Sequence, residues 1–320
     1  MRAWECARAG GLDDLALRER EAPVAGEREA LVRVAAAALN FSDLLMLKGA
    51  YQVRPPAPFI PGQEIAGRLL RAAHGFGEGE RIASKVHWGG FAELAAARAD
   101  MLIRLPEDLS FEEGATLPVV WPTAWIALHR RARLCRGETV LVHAAAGGVG
   151  AAAVQLALAA GARVIAAARG DAKLAHCRAL GADETLDYSQ GGWSERVLEL
   201  TQGAGAQVIF DPVGGEVTEL SLKALARDGR LLIVGFSSGT IPALRPNRLL
   251  LKNASALGVY WSHEHDAALV EQALEAVFAL RREGRIRSLV GETYAFEDLP
   301  QALTDLGERR TIGKSVLRIP

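Results

Sequence analysis

The chain has 320 residues, more than a single hydrophobic core usually organises, so its length predicts two domains. Its 37 basic and 38 acidic residues leave a formal charge of -1, which argues against binding to nucleic acid or to an anionic membrane through a sequence-wide field. Its three cysteines form no CxxC pair, which argues against a structural zinc cluster. The expected partners are small molecules and other copies of the chain.

The N-terminal half begins as a folded domain. Its first segment, MRAWECARAG, lacks the apolar core of a signal peptide, and no apolar run continues long enough to predict a membrane span, so we expect a cytoplasmic protein. Up to about residue 115, brief alternating runs such as ALVRVAAAAL are separated by turn-rich segments such as RPPAPFIPG. This pattern is typical of short strands and turns.

From residue 139 the pattern changes to apolar runs that alternate with helical periodicity. The six candidate strands are TVLVH, ARVIAAA, ETLDY, AQVIFD, RLLIVGF and SALGVYW, and the candidate helices cover 148–160, 172–180, 194–201 and 217–226. This alternation predicts an α/β domain with a parallel sheet and helices on both faces. After Trp261 come a long amphipathic helix and then a strand, a helix and a final strand, and this tail is expected to rejoin the N-terminal domain.

The first of these strands leads into a glycine-rich turn of the kind that binds dinucleotides. Its residues are Ala145, Ala146, Gly147, Gly148, Val149 and Gly150, which is GxGxxG with alanine in place of the first glycine. Gly147 lets the backbone approach a pyrophosphate, and Gly150 lets the helix pack tightly on the sheet. The helix N-terminus adds free amides and a positive dipole end. Ala145 suits this turn only if its φ is negative.

The second strand ends without the carboxylate that usually binds the adenosine ribose of NAD. Ala168 occupies that place, and Arg169 follows it. A carboxylate there would repel a 2′-phosphate, whereas Arg169 offers a planar cation with several donors. Lys173, one helical turn further on, and Tyr188, at the end of the third strand, are candidates for the same pocket, with a surface position as the alternative for each. The predicted cofactor is NADPH.

Several segments extend this interpretation over nearly the whole chain. They are LNFSDLLMLKGAY, PFIPGQEIAG, GGFAE, LPVVWPTAWIAL, VLVHAAAGGVG, FDPVGG, RLLIVGF and ERRTIGKSVL, in that order. Together they resemble the zinc-independent, zeta-crystallin-like quinone oxidoreductase branch of the medium-chain dehydrogenase/reductase superfamily. The resemblance implies a GroES-like, mostly β catalytic domain at 1–121 and 262–320, and a Rossmann domain with a doubly wound parallel sheet at 122–261. It also implies a homodimer joined at the edge of the Rossmann sheet, with SALGVYW as the edge strand.

The metal ligands of the zinc-dependent relatives are absent from this sequence. Those relatives hold catalytic zinc with a Cys and a His, and this chain has Asn40 and Gln63 at the corresponding places. An amide is a poor zinc ligand compared with a thiolate or an imidazole, so we expect no metal and no alcohol dehydrogenation. The suitable acceptors are then quinones and C=C bonds conjugated to a carbonyl, which accept hydride without a Lewis acid.

The resemblance assigns further residues to the site. By similarity, Asn40 and Thr123 border the nicotinamide and the substrate, and the backbone of Gly235 and Phe236 faces the carboxamide. Arg309 resembles a residue that reaches the adenosine phosphate. Arg310 is the alternative, because the resemblance fixes this position only to within one residue.

Tyr51 decides between two enzymatic hypotheses. It coincides with the proton donor of related enoyl thioester reductases, and a phenol there can protonate carbon after hydride addition to an enone or an enoyl-CoA. The alternative is a tyrosine that packs the wall of the site of an NADPH-dependent quinone reductase, which needs only a proton from solvent. A third hypothesis is a cofactor-binding protein with a structural role. His143, before the glycine-rich turn, is expected to form local hydrogen bonds, and no acid or base role is assigned to Asp43 or Glu64.

Overall fold

The computed structural model describes residues Met1–Pro320, and they form two compact units. Unit 1 consists of Met1–Val119 and Ser288–Pro320, and unit 2 of Val120–Arg287. None of the helices combines the length and the hydropathy that a bilayer crossing requires.

The N-terminal part of unit 1 is made mostly of short strands. Its elements are β1 (Arg2–Cys6), β2 (Leu15–Glu19), β3 (Glu29–Ala38), α1 (Phe41–Leu47), β4 (Glu64–Leu69), β5 (Arg81–Lys85), β6 (Leu94–Arg98), β7 (Leu102–Arg104) and α2 (Phe111–Ala115). In β3, Val32 and Val34 are buried whereas Arg33 between them is exposed, as the period of two in a strand requires. The buried face of β3 contributes to the core of unit 1, together with Phe91 and Phe296.

Unit 2 contains the predicted parallel sheet. Its elements are α3 (Val120–Trp125), a π-helical turn (Ile126–Arg131), β8 (Thr139–Val142), α4 (Gly148–Ala159), β9 (Arg163–Ala168), α5 (Asp171–Ala179), β10 (Glu184–Asp187), α6 (Trp193–Leu200), β11 (Ala206–Asp211), α7 (Gly215–Ala224), β12 (Leu225–Ile233), α8 (Pro246–Lys252), β13 (Ser255–Gly258) and α9 (His263–Arg282). The strand order β10-β9-β8-β11-β12-β13, all parallel, is that of a Rossmann fold. The central strands are buried on both faces, which explains their continuous apolar sequences.

Several of the predicted boundaries in unit 2 were wrong. The strand predicted at RLLIVGF, 230–236, runs from Leu225 to Ile233. The helix expected over 217–226 ends at Ala224, because Leu225 already pairs with Ala206 in the sheet. The last predicted strand stops at Gly258, so only SALG of SALGVYW is extended and paired.

The chain then returns to unit 1. Its last elements are β14 (Val290–Ala295), α10 (Leu299–Gly307) and β15 (Lys314–Arg318). Strand β15 is antiparallel to β3, with Val316 opposite Ala38, and the sheet runs in the order β14-β15-β3-β4-β5-β7, with β6 also paired to β3. The strand, helix and strand predicted for the tail are present, and the tail joins the N-terminal sheet as expected.

The predicted second domain boundary, after Trp261, differs from the observed one, after Arg287. Helix α9 lies within unit 2 because its apolar face packs on α3 and on the π-helical turn that follows it, where Val270 is buried against Ile126. The pattern of an amphipathic helix shows that one face is buried, but it does not show which of two hydrophobic cores that face packs on.

Candidate active site

Three neighbouring strands of unit 1 bring polar side chains to one edge of the sheet. Asn40 follows the end of β3, Glu64 begins β4 and Lys314 begins β15. Both β4 and β15 run antiparallel to β3, so the starts of these two strands lie beside the end of the third. The register places Glu64 opposite Ala38, two residues before Asn40.

These side chains form a buried hydrogen-bonded triad. The Lys314 ammonium lies 2.6 Å from Glu64 Oε2 and also donates to Asn40 Oδ1. Asn40 Nδ2 donates to the same Glu64 oxygen at 2.8 Å, and the other oxygen of Glu64 accepts the Val119 N–H at 2.7 Å. The side chains of Lys314 and Glu64 are only 3% and 0% exposed, so neither charge is solvated by bulk water.

A second carboxyl group lies next to the triad. Asp43, in the first turn of α1, accepts the backbone N–H of Asn40 at 2.7 Å and is fully buried. Burial raises the pKa of Asp43 to about 7, and the Asn40 N–H and the Lys314 charge oppose this rise only partly. Asp43 therefore anchors the backbone of Asn40, whereas Lys314 and Glu64 hold its side chain.

Two other residues named in the sequence analysis, Gln63 and Tyr51, also lie in unit 1. Gln63 Oε1 accepts the Ser42 hydroxyl at 2.5 Å. Tyr51 lies in the segment after α1, half-buried, and packs against the core of unit 1. Its predicted role as a proton donor stays a prediction.

The glycine-rich turn of unit 2 has the geometry of a dinucleotide loop. The left-handed residue is Ala144, with φ of 47°, so Ala145 keeps the negative φ that this turn demands. A Cβ on Gly150 would lie 2.2 Å from Ala144 O, which shows how closely α4 packs on the turn. Gly147 is the N-cap of α4, and a Cβ there would meet nothing closer than 3.4 Å. The first N–H groups of α4, from Gly148 onward, have no intrahelical acceptor.

Strand β9 ends at Ala168, and the neighbouring strand β10 brings a carboxylate beside it. Ala168 is buried, and Arg169 beside it is exposed. Asp187 ends β10 opposite Ala168, and its carboxylate accepts the N–H groups of Gly170 at 3.1 Å and Ser189 at 2.8 Å. The Ser189 hydroxyl and these N–H groups lower the pKa of Asp187, with a smaller effect of Arg169. The ionised carboxylate of Asp187 thus accepts hydrogen bonds from the turn and lies near Arg169, the cation predicted to bind the 2′-phosphate.

The side chains around His143 form a closed cluster. His143 is completely buried, and its Nε2 lies 2.8 Å from Ser221 Oγ, which itself donates to Val217 O. Ser221 therefore accepts from an Nε2–H tautomer. Burial lowers the pKa of His143 to about 4, against the opposing charge of Asp211. The expected local hydrogen bond is present, and the ring of Tyr188, 6.1 Å away and edge-on, packs against it.

The remaining predicted residues of unit 2 lie in separate segments. Thr123, in α3, accepts the indole N–H of Trp261 at 2.9 Å. Gly235 and Phe236 follow the end of β12 and are partly buried. The ring of Phe236 covers Gly214, where a Cβ would lie 2.9 Å from it. Lys173 lies on α5, as predicted, and is partly exposed.

The two candidate arginines follow α10 of unit 1. Arg309 has a left-handed backbone, with φ of 58°. Arg310 forms ion pairs with Asp305, at 3.2 Å, and with Glu308. Arg310 is therefore already neutralised by two carboxylates, which disfavours it as the phosphate ligand.

Comparison with known proteins assigns the chain to a family. The family profile "Zinc-binding dehydrogenase" matches residues 148–279, and "Alcohol dehydrogenase GroES-like domain" matches residues 26–107. Quinone oxidoreductase-like protein 2 of Bos taurus is 37% identical over 297 residues, which span 91% of this chain and 85% of the relative. The chain belongs to the medium-chain dehydrogenase/reductase superfamily, in its quinone oxidoreductase branch. The quinone oxidoreductase of Pseudomonas aeruginosa is 34% identical, over 96% of both chains.

A solved structure supports the same assignment. The quinone oxidoreductase of Thermus thermophilus, whose structure was also determined as a complex with NADPH, superposes with a TM-score of 0.85 at 41% identity over 100% of both chains. As in this superfamily, the fold combines a GroES-like unit and a Rossmann sheet.

The zinc site of this superfamily does not fit the residues of this chain. Asn40 Oδ1, the atom that would face a cation, accepts a hydrogen bond from the Lys314 ammonium, and Gln63 Oε1 accepts from Ser42. No group of three or more His, Cys, Asp or Glu side chains is arranged to hold a metal ion. An ammonium at the ligand position would repel the metal.

Two residues near the site were missed from the sequence. Lys314 lies in the IGKSVL motif, but a single lysine at the start of a strand has the same sequence signature as a solvated charge. Asp187 ends the candidate strand ETLDY, and its position beside Ala168 follows from the strand order of a Rossmann sheet. That order would have been sufficient to find Asp187, whereas nothing in the sequence pairs Lys314 with Glu64.

Proposed function

We propose that this oxidoreductase is an NADPH-dependent quinone reductase that works without a bound metal ion. The observation that carries the proposal is the Lys314 ammonium on Asn40 Oδ1, because it puts a fixed positive charge where the zinc-dependent relatives hold their metal. The acceptor must then take hydride without a Lewis acid, as quinones do.

NADPH, when bound, supplies the hydride. The residues of this chain would align it: the first N–H groups of α4 would hold the pyrophosphate, and Gly147 would leave room for it. Asn40, Tyr51 and Thr123 are proposed to contact the nicotinamide or the acceptor. Orientation of the two reactants then provides most of the rate.

The preference for the phosphorylated cofactor is attributed to Arg169. Ala168 offers no carboxylate to repel a 2′-phosphate, and the exposed guanidinium of Arg169 can bind it. Replacing Arg169→Ala should weaken NADPH binding by roughly tenfold to hundredfold and leave NADH binding unchanged. Arg196→Ala, which removes another exposed arginine of unit 2, is the control. Equal losses for the two cofactors in Arg169→Ala protein would exclude this role.

The function is tested by a panel of acceptors with NADPH. Ortho- and para-quinones, short enones and crotonyl-CoA are compared by the rate of NADPH oxidation, and the zinc content of the same preparation is measured. Quinones are expected to be reduced by protein without zinc. Stoichiometric zinc in the active enzyme would contradict the proposal. Tight NADPH binding with no acceptor reduced would favour the cofactor-binding role instead.

Tyr51 carries the alternative, a reductase of conjugated C=C bonds. A half-buried phenol is a suitable proton donor to carbon, and quinone reduction does not need one. In Tyr51→Phe protein we expect quinone turnover to persist. If crotonyl-CoA is the better substrate of the unmodified protein and its reduction alone is lost in this variant, the alternative replaces the quinone proposal.

We further infer a homodimer through β13. This strand is the edge of the parallel sheet, so its outer backbone groups are available for another strand. Tyr260, two residues beyond it, is 79% exposed. Light scattering should give twice the chain mass, and Tyr260→Asp should shift the protein towards the monomer. A monomeric mass for the unmodified protein would exclude the dimer.

A further inference from the structure

The orientation of the Asn40 amide follows from the chemistry of its two partners. An ammonium can only donate hydrogen bonds and a carboxylate can only accept them. Lys314 must therefore face Oδ1 of Asn40, and Glu64 must face its NH2 group, as observed. Neither partner tolerates a rotated amide. The NH2 group has two hydrogens, and Glu64 uses one of them.

The buried ion pair is difficult to explain by stability alone. Lys314 and Glu64 are almost completely removed from water, and a buried pair commonly contributes no more stability than apolar side chains of the same volume. Two further titratable groups lie close to the pair: Asp43 is buried next to both charges, and Lys85 interacts electrostatically with Glu64. The hydrogen bonds of the pair include those to Asn40 and to the Val119 N–H.

We propose that Lys314 is a positioning residue of the reductase: with Glu64 it fixes and polarises the Asn40 amide, so that the remaining N–H donates to the carbonyl oxygen of the acceptor. This inference rests on the proposed function. It adds a specific role for a residue that contacts neither cofactor nor acceptor.

The polarisation has a direct chemical consequence. A positive charge on an amide oxygen withdraws electrons from the nitrogen and strengthens its N–H as a donor. When the acceptor takes up hydride, two electrons and one hydrogen nucleus arrive together, and its oxygen becomes negatively charged until solvent supplies a proton. A donor aimed at that oxygen stabilises the transition state more than the ground state. The triad thus takes over part of the task of a Lewis acid.

The same geometry limits the substrate class. An amide is not a base, and Asn40 Oδ1 already accepts from the Lys314 ammonium, so the side chain offers the acceptor a hydrogen-bond donor. A carbonyl oxygen matches this arrangement, whereas an alcohol would need an acceptor for its hydroxyl proton. The site is therefore suited to reducing carbonyl-activated acceptors.

The first test measures the orientation of the amide without any substrate. The chain has three asparagines, Asn40, Asn247 and Asn253, so labelling asparagine with ¹⁵N gives three pairs of side-chain amide signals. Asn40→Ala assigns the Asn40 pair, and the exposed Asn247 is an internal reference. We expect the Asn40 amide hydrogens to exchange with solvent much more slowly than those of Asn247. In Lys314→Met/Glu64→Gln protein the difference should shrink, because the amide is no longer held by two charges.

The second test is kinetic and uses the same double variant, in which the buried charges are removed together so that neither is left unpaired. We expect kcat for a simple para-quinone to fall by about tenfold or more, with an unchanged KM for NADPH. The primary isotope effect with NADPH deuterated at the transferred position should rise, since hydride transfer becomes slower. Lys48→Met, the same substitution at an exposed lysine after α1, should have no effect.

The outcomes separate the two proposals. Wild-type kcat in a folded double variant would overturn the positioning role and leave the quinone reductase proposal intact. Free exchange of the Asn40 amide in the unmodified protein would overturn it as well. If the unmodified protein reduces no quinone, the proposed function fails, and the exchange measurement still decides whether Lys314 holds Asn40.

Discussion

The two outer glycines of the dinucleotide loop should respond differently to the same substitution. In Gly150→Ala, the new Cβ would lie 2.2 Å from Ala144 O and 2.9 Å from Ala145 Cα. Both are backbone atoms, so α4 and the turn must move apart by about 1 Å. In Gly147→Ala the nearest atom is 3.4 Å away and φ is -90°, which alanine adopts readily. The first substitution should disturb packing, and the second is expected to place a methyl group in the space proposed for the pyrophosphate.

The expected magnitudes follow from these contacts. Overpacking of this kind costs up to about 3 kcal/mol, and the better helix propensity of alanine offsets about 1 kcal/mol for Gly150→Ala. The net loss of about 2 kcal/mol corresponds to a fall in the unfolding temperature of about 4 to 8 °C for a unit of this size. Gly147→Ala should lose well under about 1 kcal/mol of stability, the usual difference at an N-cap. Its NADPH affinity should nevertheless fall by at least about tenfold.

Thermal unfolding followed by circular dichroism gives the first quantity, and titration with NADPH followed by calorimetry gives the second. Gly191→Ala is the control, because a Cβ at this glycine would meet no atom within 4 Å. An unchanged unfolding temperature for Gly150→Ala would refute the close packing of α4. Wild-type NADPH affinity for Gly147→Ala would show that the pyrophosphate does not lie over this glycine.

Three further predictions concern stability. The pKa of Asp43 in the folded protein, about 7, exceeds its unfolded value, so the protonated carboxyl stabilises the native state at low pH and this advantage is lost as the pH rises. Between pH 5 and pH 8 the unmodified protein should therefore lose about 2 to 3 kcal/mol of unfolding free energy relative to Asp43→Asn, measured by urea unfolding. Parallel pH profiles of the two proteins would contradict this. His143 should make stability depend on pH in the opposite direction, because its pKa in the folded protein is lowered to about 4. The free energy of unfolding should fall by up to about 3 kcal/mol as the pH drops from 6.5 to 4, and His143→Gln should reduce this dependence in the same assay. Ala144→Gly should raise the free energy of unfolding by about 0.5 to 1 kcal/mol, since glycine adopts the φ of 47° without strain. A decrease would show that packing of the Ala144 methyl group stabilises the protein by more than the backbone strain destabilises it.

Unit 2 was largely predictable because its information is local. The central strands of a parallel sheet are buried on both faces and appear as continuous apolar runs, and the turn before α4 has a fixed glycine pattern. Element ends were less predictable: the sequence around Ala224 and Leu225 suits a helix as well as a strand, and pairing with β11 decides between them. The unit to which α9 belongs was likewise decided by packing on α3.

By itself, the sequence determined the dinucleotide loop, the absence of an acid at Ala168 and the amides at Asn40 and Gln63, because each depends on which residue occupies a position in a motif. Only the tertiary structure decided that Lys314 donates to Asn40, 274 residues earlier in the chain. That contact depends on the antiparallel register of β15, β3 and β4, and hydrogen bonds between distant strands leave no periodicity in the sequence. A lysine that would otherwise be solvated becomes a buried charge because the end of β3 and the starts of β4 and β15 lie side by side.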